Sequence, residues 1–98
     1  MNIIRTLAES KLNIALIGSL DTNTAPQLEE VLNDSLDNIT ELILDFKETD
    51  YLSSAGLRVI LAAQKKMAKQ GSLVLINVPE TIMDVFEITG FTDILTFQ

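Results

Sequence analysis

Apolar residues in this chain alternate in some stretches and recur every three to four residues in others, and the switches between the two mark its elements. Leu12, Ile14 and Leu16 share one face of a strand over Leu12–Gly18. Asn2–Ala8 holds Ile3, Ile4 and Leu7, enough for a short or edge strand. Only Glu9-Ser10-Lys11 separates the two, so they read as an antiparallel hairpin. Gly18–Asn23 is a loop. A helix is expected from Thr24, because Leu28, Val31, Leu32 and Leu36 recur at helical spacing. Thr24-Ala25-Pro26-Gln27 reads as its capping box, with Pro26 in the first turn and Asp37-Asn38 marking the end.

Glu41–Phe46 is the next strand, and its nearly continuous apolar run suits coverage on both faces. A second helix spans Ser54–Gln70, with Leu57, Ile60, Leu61, Gln64 and Met67 or Ala68 tracing a stripe. Lys65, Lys66 and Lys69 favour its C-terminus, and Gly71 is expected to stop it as a C-cap glycine. Leu73–Ile76 reads as a buried strand. Pro79 opens a third helix that Gly90 closes, and Ile94–Phe97 is a last edge strand. The order ββαβαβαβ predicts a single α/β domain over residues 1–98. Its sheet is mixed and mostly parallel, of about four to five strands, with an N-terminal β-hairpin and about three main crossover helices.

Composition narrows the function. The 98 residues bury roughly 60–70% of the unfolded surface, and 47% apolar content suits an ordered core. No apolar run reaches the roughly 20 residues of a membrane-spanning helix, and no secretory signal is visible, so a cytoplasmic protein without membrane insertion is expected. Net charge is −7, which opposes direct binding to nucleic acid or to anionic lipid. The charges segregate: Asp21–Asp45 holds seven carboxylates and no base, whereas Tyr51–Val78 holds four bases and no acid. Two readings stand for these blocks, solvated helix faces or electrostatic steering of a protein partner.

Chemistry is sparse. Without His or Cys there is no His-based acid–base pair, no Ser-His-Asp triad and no thiolate metal site. The four glycines are scattered, so no phosphate-cradling loop forms, and Asp21-Thr22-Asn23 lacks the Gly and Glu of a calcium loop. No catalytic residue, metal or cofactor is expected. What stands out is the strand-to-helix junction Ser53-Ser54-Ala55-Gly56-Leu57-Arg58. Two hydroxyls followed by Ala and Gly present a serine over nearly bare backbone, which suits modification of that serine or close docking of another protein. Ser53 reads as an N-cap, leaving Ser54 one position into the helix. Asp21 follows the second strand and Ser54 the third, so both loops open on one edge of the sheet if those strands are parallel neighbours.

These residues carry a family resemblance. Gly18-Ser19-Leu20-Asp21, Leu42–Phe46, Tyr51–Leu61 and Ile88-Thr89-Gly90-Phe91 together resemble the sulfate transporter and anti-sigma factor antagonist (STAS) domain, and within it the free-standing bacterial anti-anti-sigma factors. The resemblance implies that Ser54, two positions before Gly56, is phosphorylated by a serine kinase that is also the anti-sigma factor. A phosphatase is a further implied partner. The implied partner-binding surface comprises Asp21, Thr22 and Asn23 with Ser53, Ser54, Ala55, Gly56 and Arg58, Gly56 permitting close approach. Ser53 stands where many members have Asp, and Ala55 where they have a second hydroxyl. A second reading is a non-enzymatic STAS subunit of a lipid- or anion-transport complex. The chain is expected to be a monomer or a weak dimer.

Overall fold

The computed structural model describes residues 1–98. β1 (Asn2–Ala8) and β2 (Lys11–Leu20) form the predicted antiparallel hairpin, with Ile3 opposite Leu16 and Leu7 opposite Leu12. α1 (Ala25–Ser35) leads to β3 (Glu41–Asp45), which lies parallel to β2 with Leu12 beside Leu42. A strand missed in the sequence follows, β4 (Thr49–Leu52). Ala15 pairs with Asp45 and Gly18 with Thr49, so β4 resumes the line of β3 along β2 after a short detour. Asp50 and Tyr51 are exposed, which hides any apolar alternation. What holds β4 is Thr49, the one buried polar residue, whose hydroxyl donates to the Leu16 carbonyl at 2.6 Å.

α2 (Ser54–Ala68), β5 (Ser72–Ile76), α3 (Glu80–Thr89) and β6 (Thr96–Phe97) complete the chain. The last strand is shorter than expected because Phe91–Asp93 coil into a 3₁₀ turn and leave Ile94 exposed. Gly90 ends α3 with φ of 80°, a left-handed conformation that glycine adopts without strain. Gly71 ends α2 differently from expectation. Its φ is not positive; instead a Cβ there would collide with the Thr40 backbone, so the glycine is needed for space.

The main sheet runs β1-β2-β3-β5-β6. After the hairpin each parallel strand is added on the same side as the one before. Right-handed crossovers that never reverse direction place every helix on one face. Hence the expected coverage of β3 on both faces is not found. Leu42 and Leu44 are fully buried under the helices, together with Ile14, Leu16 and Leu75. Asn13, Ala15, Ile43, Val74 and Ile76 on the opposite face are half-buried. The core is one cluster, closed at the β6 end by Phe46, Phe86 and Phe97. Phe86 meets the other two rings edge-on, at 6.2 Å and 5.2 Å between centroids.

Candidate docking site at the carboxyl ends of β2 and β4

Ser54 follows the fourth strand, not the third. The same-edge geometry still holds, because β4 is itself a parallel neighbour of β2: Leu20 pairs with Leu52, and the Ser53 amide donates to the Leu20 carbonyl at 2.9 Å. The pairing sets the Asp21 loop and the start of α2 side by side.

The loop is ordered by its own side chains. The expected capping box of Thr24 and Gln27 is not formed, since Thr24 makes no cap bond to α1. The box lies one turn earlier. Asp21 Oδ1 accepts from the Thr24 amide at 3.0 Å and the Asn23 amide at 2.9 Å, while the Asp21 amide donates to Thr24 Oγ1 at 2.8 Å. The Asp21 carbonyl also accepts from Ala25 N at 2.8 Å, so the first turn begins at Asp21. Thr24 Oγ1 in turn donates to the Ser19 carbonyl at 2.7 Å, tying the loop to the end of β2. The Thr24 amide, with help from the Asn23 amide and the Thr24 hydroxyl, holds the Asp21 carboxyl below the ordinary carboxylate range against the opposing effect of burial. Thr22 and Asn23 are exposed between these anchors.

At the junction, Ser53 caps α2. Its Oγ accepts from the Gly56 amide at 3.2 Å, and its carbonyl accepts from Leu57 N at 2.9 Å. Ser54 is the first residue of the helix and is exposed; Ala55 is half-buried and Arg58, one turn on, is exposed. The amides of Ser54 and Ala55 donate to no acceptor of the chain, as expected of a first turn. Gly56 corrects the sequence reading. It is buried, and a Cβ there would lie 2.6 Å from Leu20 Cγ and 3.0 Å from the Leu20 carbonyl oxygen. Its missing side chain lets α2 approach β2 of the same chain and is not offered outward.

A shallow groove of about 270 Å³ joins the two segments, lined by Thr22 of the loop, by Ala25, Pro26 and Glu29 on α1 and by Ala55, Arg58 and Val59 on α2. Of the residues named from sequence, the structure therefore brings Thr22, Ala55 and Arg58 onto one groove, with Ser54 and Asn23 exposed beside it. Ala25, Pro26, Glu29 and Val59 were missed. Nothing in their spacing sets them apart from ordinary helix positions, and only the packing of α1 against α2 puts them there.

Comparison with known proteins agrees with this architecture. The family model for the STAS domain matches residues 4–98. BtrV of Bordetella bronchiseptica, provisionally described as an anti-sigma factor antagonist, is 36% identical over 96 residues, covering 96% of this chain and 83% of its own. The anti-sigma-B factor antagonist of Bacillus subtilis is 34% identical over 88 residues, covering 89% of this chain and 81% of its own. Among solved structures, the Bacillus cell fate determinant SpoIIAA in its phosphorylated form superimposes with a TM-score of 0.77. The identity is 20%, with 99% of this chain and 91% of that one covered, a likeness of fold. The chain belongs to the STAS domain family.

Proposed function

We propose that this protein is an anti-sigma factor antagonist that binds an anti-sigma factor acting also as a serine kinase, and that phosphorylation of Ser54 ends the binding and so returns the sigma factor to its inhibitor. The observation that carries this reading is the exposed Ser54 hydroxyl at the first position of α2, beside the Asp21 loop. Two relatives described as anti-sigma factor antagonists support the partner class, and the phosphorylated form of the structural neighbour supports the kind of modification.

The mechanism follows from charge and position. A phosphate on Ser54 adds about −1.5 to −2 charges to a chain already at −7. It sits where the helix dipole and the free amides of Ser54 and Ala55 favour an anion, so α2 does not melt. The cost falls on the partner, which must now dock over a hydrated dianion instead of a small hydroxyl. A loss of ~2–4 kcal/mol weakens binding by about 30- to 1,000-fold, enough for a switch. Asp21 Oδ1 is occupied within the loop, leaving Oδ2 and the exposed Thr22 and Asn23 side chains for recognition.

Incubation with the cognate anti-sigma factor and ATP, followed by mapping of the modified residue, tests the proposal. One phosphate on Ser54, absent from Ser54→Ala, supports it. Modification elsewhere, or none in a stable complex, contradicts it.

A further inference from the structure

α2 presents a second groove, on the side of Arg58 away from the Asp21 loop. It has a volume of about 420 Å³ and runs between the helix and the 3₁₀ turn, with Leu61 and Ala62 forming its floor and Phe91 and Ile94 its far wall. Ile94 is 53% exposed although it is an isoleucine in a chain with an adequate core, so apolar surface is left open here. Arg58 and Lys65 stand at the two ends, both exposed. They are seven residues apart, two helical turns, or about 10 Å along the axis. Between them Gln64 buries its Oε1 without a hydrogen-bond donor, so the fold does not lock that amide.

We propose that this groove docks an acidic amphipathic helix of a partner protein, with two carboxylates seven residues apart and a pair of apolar side chains between them. The spacing of the cations selects this occupant. Carboxylates at positions i and i+7 of a helix laid along α2 meet Arg58 and Lys65, while residues i+3 and i+4 drop onto Leu61, Phe91 and Ile94. Charge favours the same answer: α2 and its C-cap carry Arg58, Lys65, Lys66 and Lys69 and no acid, four of the seven bases on a protein of net charge −7. A volume near 420 Å³ suits a few apolar side chains, within the ~300–1,000 Å³ range of formed pockets. The groove shares Arg58 with the groove beside Ser54 but otherwise lies on the opposite side of that residue, and its occupation does not depend on any modification of the serine.

The test is a titration of the isotope-labelled protein with a synthetic helical peptide carrying Glu at positions seven apart and Leu at the two intervening face positions, followed by amide chemical shifts. Saturable shifts confined to Arg58–Lys65 and Phe91–Ile94 are expected. Lys65→Glu and Ile94→Asp, both exposed positions that leave the fold intact, should each weaken binding by about tenfold or more. A peptide with Lys in place of both Glu residues should not bind. Absence of shifts at ~1 mM peptide overturns the proposal, since that concentration detects even weak docking. Equal response to the Lys peptide, or shifts centred on Ser54 and Asp21, also overturns it. All three outcomes are read on unphosphorylated protein and leave the kinase proposal to its own experiment.

Discussion

Gly56 of α2 rests directly on Leu20 at the end of β2, so close that a single Cβ on the glycine would lie 2.6 Å from Leu20 Cγ. The contact joins the two halves of the docking edge, because Leu20 precedes Asp21 and Gly56 follows Ser54 by two residues. Alanine is the better helix former by about 1 kcal/mol, yet overpacking here costs about 1–3 kcal/mol. Gly56→Ala should therefore destabilise the protein. The cost should shrink in a Leu20→Ala background, where the side-chain clash is gone and only the 3.0 Å approach to the backbone carbonyl of residue 20 opposes the helix preference. A double-mutant cycle by urea unfolding measures the coupling. Additive effects would contradict the contact.

Asp21 should make the loop acid-sensitive. Its folded pKa lies below the ordinary value because the Thr24 and Asn23 amides bind the ionised carboxylate. A depressed folded pKa contributes stability that is complete above the unfolded value, roughly 3.9, and is lost as pH falls through the folded value. Asp21→Asn keeps an acceptor for both amides but removes the titration. Between about pH 5 and pH 2 its melting temperature should fall less steeply than that of the parent protein. Parallel acid limbs would show that the carboxylate is not engaged as described.

Thr49 should be the most sensitive polar position of the sheet. Valine preserves its shape but removes the hydroxyl that donates to the buried Leu16 carbonyl. Thr49→Val should cost about 1–3 kcal/mol in urea unfolding. An unchanged midpoint would mean that β4 does not need this bond.

The two adjacent serines should separate cleanly. Ser53→Ala removes the cap on the Gly56 amide and should cost about 0.5–2 kcal/mol, which lowers the melting temperature by several degrees in a domain of this size. Ser54→Ala, at an exposed position, should fall within about 0.5 kcal/mol of the parent. Calorimetry on both variants checks the division of labour between cap and surface; equal losses would refute it.

The strands and helices with strong periodicity were legible in the sequence, as were the hairpin and the N-cap role of Ser53. What escaped it was set by tertiary contact. Thr49–Leu52 has no apolar alternation and becomes a strand only because β2 extends past the end of β3 to receive it. The capping box shifted from Thr24 to Asp21 because the Thr24 hydroxyl is drawn back to the Ser19 carbonyl, a bond between residues no local motif connects. Gly56 and Gly71 read as glycines for turns or close docking, and both prove to make room for backbone of their own chain. The exposure of Ser54 was foreseeable because an N-cap at Ser53 turns the next residue outward. The grooves on either side of Arg58 were not, since α1 and the 3₁₀ turn that wall them are distant in sequence.

The central claim is that a modification at Ser54 acts on the partner and not on the fold. The most direct measurement is the dissociation constant of the cognate anti-sigma factor for the protein carrying serine, and then phosphoserine, at position 54. The account predicts a loss of about 30- to 1,000-fold in affinity on phosphorylation, with the folded state retained. Equal affinity for the two forms would contradict it.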